Sequence, residues 1–332
     1  MNQWPNTTAT IDAARRKSTK RSRVAGVARA SSSSRELTSQ VLPPRGRRVK
    51  EGVGSVWHHA RMSEAYRSPL APDANEGLVA LVTGGGTGLG RAIAREYART
   101  GASVVIAGRR AEPLEEVASE LTAAGARVLS VPGTDVREPE HVSSLVDTVL
   151  DQFGRIDVLV NNAGGQFVAT PEQISAKGWR AVHRLNVDAV WDLTRSVAER
   201  SMIPGGGGLV VFIGFSPRRG IPLMVHASAA RAALENLASG LAIEWSRHRI
   251  RAVCVATGAI DTDAFRAYGD DFVAEAIRTA PLGRIASTEE VASVIAFLST
   301  SGGAYITGTT IVVDGGSDAW GLGFPPPQPG QS

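Results

Sequence analysis

Residues 78–98 read LVALVTGGGTGLGRAIAREYA: a strand-length apolar run, a glycine-rich turn, then apolar positions at helical spacing. In that context the glycines have separate physical tasks. Gly84 and Gly88 permit a tight turn and close backbone approach to a phosphate, while Gly90 lets the following helix pack on the strand. Thr87 and Leu89 complete the turn. The helix then begins with unpaired N–H groups and the positive end of its dipole, which suits the pyrophosphate of a dinucleotide.

Outward from this unit, short β-rich runs alternate with helix-length segments. Strands are predicted at 78–83, 103–107, 127–131, 156–161, 208–214, 250–256 and 309–313. Helices are predicted at 88–100, 111–124, 138–153, 179–202, 226–247 and 288–299. The alternation predicts an α/β fold: a single doubly wound parallel sheet of about seven strands with helices on both faces. The domain should span 76–318, preceded by a basic extension over 1–75 and followed by a Pro/Gly-rich tail over 319–332.

Composition agrees. Hydrophobic residues make up 43% of the chain, enough for a large core. The pI near 9.6 misleads until the charges are placed. Residues 1–61 hold 13 Lys or Arg against 3 Asp or Glu, and the remainder holds 23 against 29, so the body is mildly acidic. A nucleic-acid footprint is therefore not expected on the domain. Residues 1–75, with a serine run at Ser31–Ser34, read as disordered. Their Arg- and Ser-rich character also suits a transit peptide, and a natural start at Met62 would leave out residues 1–61. His58 and His59 fall in this tail. No apolar run is long enough for a membrane span, and the one cysteine, Cys254, reads as a buried strand residue.

The end of the second strand selects the cofactor. An acid there binds a ribose 2′-hydroxyl, whereas arginine accommodates a 2′-phosphate. Residues 104–113 read VVIAGRRAEP, with Gly108 at the acid's place followed by Arg109 and Arg110, and this predicts NADPH.

TGGGTGLG resembles the TGxxxGxG motif of short-chain dehydrogenases/reductases, and further matches cover residues 78–316. Thr134, Asp135 and Val136 match the family's adenine-contacting turn. Asn161, Asn162, Ala163 and Gly164 match the turn after the fourth strand, and Asn186 matches the active-site asparagine. In VATGAIDTDAF, Gly258, Ile260 and Thr262 fit the segment that lines the nicotinamide amide, with Thr257 in place of the usual proline.

The resemblance breaks at the family's Tyr-x-x-x-Lys pair. Ala227 occupies the tyrosine position, Arg231 the lysine position and Gly214 that of the usual serine. The chain has four tyrosines, Tyr66, Tyr97, Tyr268 and Tyr305, and no substitute pair is expected near the site. The same departures mark the peroxisomal-type enoyl-CoA reductases and the related 2,4-dienoyl-CoA reductases. NNAGGQF (161–167), SAKGW (175–179), PLMVHASAARA (222–232) and AIEW (242–245) are similar to theirs.

That subfamily implies reduction of the double bond of a trans-2-enoyl thioester, with hydride to C3 and a proton to C2. Such chemistry needs donors aimed at a developing enolate oxygen and a proton source. Ser228, Gln166 and His226 are the expected donors, Asn186 the holder of a relay water, and Arg231 the ribose-binding cation. A cap for Ser228 and a backbone contact for His226 are the plainer alternatives. Residues 263–283 should cover the substrate, with Arg218, Arg219, Arg266 and Arg278 as candidates for a CoA moiety. Two other functions stay open: an alcohol or 3-ketoacyl dehydrogenase with an atypical relay, and a catalytically silent NADP-binding protein. The resemblance further implies a homotetramer. No Ser-Lys-Leu-type address ends the chain and no secretory signal opens it, so cytoplasm is the expected compartment.

Overall fold

Every residue of VALVT in β1 (Val79–Thr83) is buried, as expected of a strand covered on both faces. The computed structural model describes residues 66–321; the expected start at Met62, the histidine pair and most of both predicted tails lie outside the described residues. From β1 the chain runs through α1 (Gly88–Arg99), β2 (Ser103–Ala107), α2 (Ala111–Ala123), β3 (Val128–Val131), α3 (Pro139–Phe153) and β4 (Val158–Asn161). A second half follows: α4 (Ala176–His183), α5 (Ala189–Val197), α6 (Ile203–Gly205), β5 (Gly208–Phe215), α7 (Val225–Glu244) and β6 (Ile250–Thr257). It closes with α8 (Asp263–Arg266), α9 (Asp270–Arg278), α10 (Thr288–Ser299), β7 (Thr309–Val313) and α11 (Ser317–Trp320).

The seven strands form one sheet in the order β3-β2-β1-β4-β5-β6-β7, and all neighbours pair in parallel. Side chains alternate across it. Ala80, Val82, Val104 and Ile106 pack with α1, α2 and α10 on one face, while Leu81, Val105, Leu159 and Phe212 pack with α3, α5 and α7 on the other. The strand order reverses between β1 and β4, so the loops leaving these strands diverge and open a crevice at their carboxyl ends.

Several boundaries differ from the sequence expectation, two of them informatively. The predicted 179–202 helix starts at Ala176 and is interrupted by π turns at Arg184–Asp188 and Ala198–Met202, which hydrophobic periodicity cannot register. The predicted extension to residue 75 is too long. Tyr66 Oη lies 2.5 Å from Ser293 Oγ, and buried Asn75 donates to Thr100 Oγ1 at 2.9 Å. No described helix is long and apolar enough to cross a membrane.

Candidate active site

The crevice is a cleft of about 550 Å³ at the carboxyl ends of the strands. Its glycine end is shaped by backbone proximity. Gly84 and Gly88 adopt φ of +67° and +50°, the left-handed region that favours glycine. A Cβ on Gly90 would stand 2.1 Å from Gly84 O and 2.6 Å from Asn162 Nδ2, so the helix start presses on the turn itself. Gly88, Leu89 and Gly90, the first turn of α1, line the cleft together with Thr87. Thr83, which sequence reasoning passed over, joins β1 to β4: its Oγ1 accepts from the main-chain N–H groups of Asn162 (3.1 Å) and Ala163 (3.0 Å). The Asn162 side chain donates back to Thr83 O at 2.9 Å. Only the threonine opening TGGGTGLG signalled this role.

At the β2 end, Arg109, Arg110, Asp135, Val136 and Arg137 share the cleft wall. Arg137 grips Asp135 through Nε–Oδ1 (2.9 Å) and a second contact to Oδ2. That hydrogen-bonded pairing, opposed by burial and helped by the charge of Arg109, holds the carboxyl down at about 2. Three arginines thus stand beside one carboxylate already neutralised, a surplus of positive charge suited to an anion. Arg137 was not singled out from sequence because nothing in TDVR distinguishes it from a surface arginine.

Of the residues expected around the cofactor, all but Asn161 line this cleft, including Gly164, Gly258, Ile260 and Thr262 at the far end. The donor set fits a dinucleotide: a glycine turn too tight for any Cβ at Gly90, a helix N-terminus, and a cationic end. Thr262 approaches Gly88 from across the cleft, its Cγ2 lying 3.3 Å from where a Gly88 Cβ would be. It also caps α8 by accepting from Phe265 N at 3.1 Å.

Arg231 closes the far end. It is buried at 5% exposure and lies on the cleft wall. Its Nη1 donates to Ile213 O at 2.5 Å, its Nε has no partner, and its Cζ sits 5.4 Å from the Phe215 ring centre. Among the described residues no carboxylate forms an ion pair with it, and burial pulls the guanidinium down to about 10. Gly164 is required beside it, because a Cβ there would meet Nη2 at 2.1 Å. A buried cation with an unused donor, at the edge of a cleft, is set up to receive acceptor oxygens.

The other expected catalytic side chains separate. Gln166 lines the cleft, and its Nε2 donates to Tyr268 Oη at 3.1 Å. Asn186 is buried in the first π turn, where its Nδ2 donates to Val182 O and Gly165 O, both at 2.8 Å, and its Oδ1 accepts from Gly165 N at 3.3 Å. Its amide therefore clamps the Gly164–Gln166 loop rather than lining the cleft. Ser228 accepts from Ile221 N at 3.2 Å, holding the loop before α7. His226 is fully buried against Phe167, ring centres 4.2 Å apart, and neither ring nitrogen meets a hydrogen-bond partner. Burial, then the nearby His183, pushes its imidazole below the usual range against a smaller opposing effect of the Phe167 main chain. Neither His226 nor Ser228 lines the cleft.

Two expectations need correction. The four arginines offered for CoA are engaged: Arg218 and Arg219 with Asp318, Arg266 with Asp261, and Arg278 with Glu275. Gly214 is not simply a lost serine, since a Cβ there would stand 2.7 Å from Cys254 Sγ. Tyr268, in the segment expected to cover the substrate, lines the cleft. Linear sequence places it 41 residues after Ala227, so no local spacing could connect the two.

The likenesses to known proteins follow this geometry. A family model described as enoyl-(acyl carrier protein) reductase matches residues 84–318. The peroxisomal 2,4-dienoyl-CoA reductase [(3E)-enoyl-CoA-producing] of Danio rerio is 33% identical over 258 residues, covering 77% of this chain and 85% of the relative. The structure of a citronellol catabolism dehydrogenase from Pseudomonas aeruginosa superposes with a TM-score of 0.68 at 38% identity, over 76% of this chain and all of that one. The structure of a protein from Beutenbergia cavernae described as an NAD(P)-dependent gluconate 5-dehydrogenase, with NADP bound at low occupancy, superposes with a TM-score of 0.70 at 34% identity, over 75% of this chain and 100% of its own. The chain belongs to the short-chain dehydrogenase/reductase family of NAD(P)-using oxidoreductases.

Proposed function

We propose that the protein is an NADPH-dependent reductase of the C2=C3 bond of trans-2-enoyl thioesters. The observation that carries this reading is the pair at 227 and 231: a buried alanine stands where a ketone reductase needs a phenol, while a buried guanidinium without a carboxylate partner lines the cleft. NADPH, when bound, supplies the hydride to C3. Arg231 holds ribose hydroxyls with its free donors and lends positive charge to the enolate that develops on the thioester oxygen. Gln166 offers its amide to that oxygen. Asn186 fixes the Gly165 backbone, and Ser228 and His226 shape the wall behind them. Arg109 and Arg110 receive the 2′-phosphate; replacing both by alanine is expected to raise the KM for NADPH about tenfold, with NADH little changed.

The likeness to a dienoyl-CoA reductase favours a second substrate on the same site. Turning a 2,4-dienoyl into a 3-enoyl thioester adds hydrogen at C5 and C2, so both substrates take their proton at C2. The test is NADPH oxidation with trans-2-hexenoyl-CoA and 2,4-hexadienoyl-CoA, alongside acetoacetyl-CoA and an NADH control. Turnover of either unsaturated thioester with NADPH supports the reading. Turnover of the ketone alone would replace it with a 3-ketoacyl dehydrogenase, and tight NADPH binding without any turnover with a silent binding protein. The reading includes a cytoplasmic homotetramer, in which exposed Trp191 and Ile243 on α5 and α7 would be covered; mass measurement in solution checks the subunit number.

A further inference from the structure

We infer that Tyr268, carried between α8 and α9 and lining the cleft, is the proton donor of this enzyme, its phenol taking the place of the one missing at Ala227. The inference rests on the enoyl reading for the identity of the substrate.

Of the chain's four tyrosines only this one reaches the cleft. Tyr97 is buried in the sheet–helix core, Tyr66 sits on Ser293, and Tyr305 is fully exposed. Tyr268 is held by its surroundings rather than loose on a loop. Its ring lies 5.2 Å from Phe272 and 6.3 Å from Phe265. It packs on the cluster of Val182, Met224, Ala227 and Ala230, as does Phe215, whose ring borders the Arg231 guanidinium. The small side chain of Ala227 is thus part of the surface on which the lid's phenol rests. Gln166 Nε2 donates to Tyr268 Oη at 3.1 Å, which occupies an acceptor lone pair and leaves the O–H free to donate.

The step balances without another reagent. As hydride adds to C3, the π pair of C2=C3 moves to the C1–C2 bond and the thioester oxygen takes up negative charge. The Tyr268 O–H bond then breaks, a C2–H bond forms, and the phenolate is left in a cleft that also holds the Arg231 cation. Water at the cleft mouth reprotonates it. The substrate gains two electrons and the nicotinamide loses two.

The test compares wild-type protein with Tyr268→Phe, which keeps the ring and its aromatic packing. On trans-2-hexenoyl-CoA, kcat is expected to fall about 100-fold, and the normal solvent deuterium isotope effect of the wild type should change in size as protonation becomes limiting. NADPH affinity by fluorescence titration should stay within about twofold and the melting midpoint unchanged, since the substitution keeps the ring and its packing. Gln166→Leu, which leaves the hydroxyl but removes its partner, should lower kcat about tenfold. A Tyr268→Phe variant that keeps most of its kcat overturns the proposal, as does one whose lost activity is matched by lost NADPH affinity or a lower melting midpoint. If the wild type reduces acetoacetyl-CoA but no unsaturated thioester, the enoyl reading fails while the same variant, assayed on the ketone, still decides the phenol's role. A wild type with no turnover at all removes the reaction and the proposal with it.

Discussion

At the glycine end of the cleft the decisive contacts are between backbone atoms, whereas at the Arg231 end they are between side chains drawn from distant parts of the chain. Gly84, Gly88 and Gly90 work because they have no side chain, and the helix start nearly touches the turn before it. Such a site tolerates no added atom, whatever the substrate. At the other end, Arg231 from α7, Gln166 from the β4 loop and Tyr268 from the lid meet in one cavity. There the backbone frame is the family's and the chemistry is set by which side chains are hung on it.

The largest effect should come from disturbing the backbone end. Gly90→Val puts a branched side chain where even a Cβ has 2.1 Å of room, and NADPH affinity is expected to fall about 100-fold, or ~2.7 kcal/mol. Fluorescence titration would show it, and a near-normal affinity would erase the distinction between the two ends.

Next is Arg231→Met, which removes a charge but keeps its bulk. Loss of charged hydrogen bonds to substrate or cofactor should lower kcat/KM about 30-fold. Stability should move the other way: a guanidinium pulled from 12.5 to about 10 by burial carries a penalty of roughly 3 kcal/mol in its charged form. Relieving part of it should raise the melting midpoint by about 2–4 °C. A variant that loses both activity and stability would mark Arg231 as a structural residue instead.

Restoring the family's serine at Gly214 sharpens the same comparison. Gly214→Ser forces a side chain against Cys254, whose buried thiol is pushed up to about 12 by desolvation, and should cost about 2 kcal/mol without creating ketone reduction. Adding Cys254→Ala should return most of that stability, as read by denaturant unfolding.

The smallest effect concerns His226. Its folded pKa lies below the unfolded value of about 6.5, so the unfolded chain binds the extra proton in the window between them and stability rises with pH. The wild type should therefore lose stability as pH falls below about 6.5, and His226→Phe should lose less. Equal slopes in the two proteins would mean that His226 does not stay neutral on folding.

Much of this could be read from the chain alone. Strand and helix periods, the glycine turn and the arginines after β2 are local signals, because side-chain spacing and φ freedom act over a few residues. They determined the sheet, the cleft's position and its cofactor wall, and the missing Tyr-x-x-x-Lys pair was legible by counting. Thr83 tying β1 to β4, Asn186 clamping Gly165 through a π turn, and Cys254 filling the space beside Gly214 were not legible. Each depends on which atoms the strand register and helix packing bring within a few ångströms. Tyr268 shows the limit most clearly. Its sequence neighbourhood promised only a cover for the substrate, and only the folding of that cover over α7 sets a phenol facing the cleft that Arg231 closes, since proximity across a cavity has no counterpart in linear spacing.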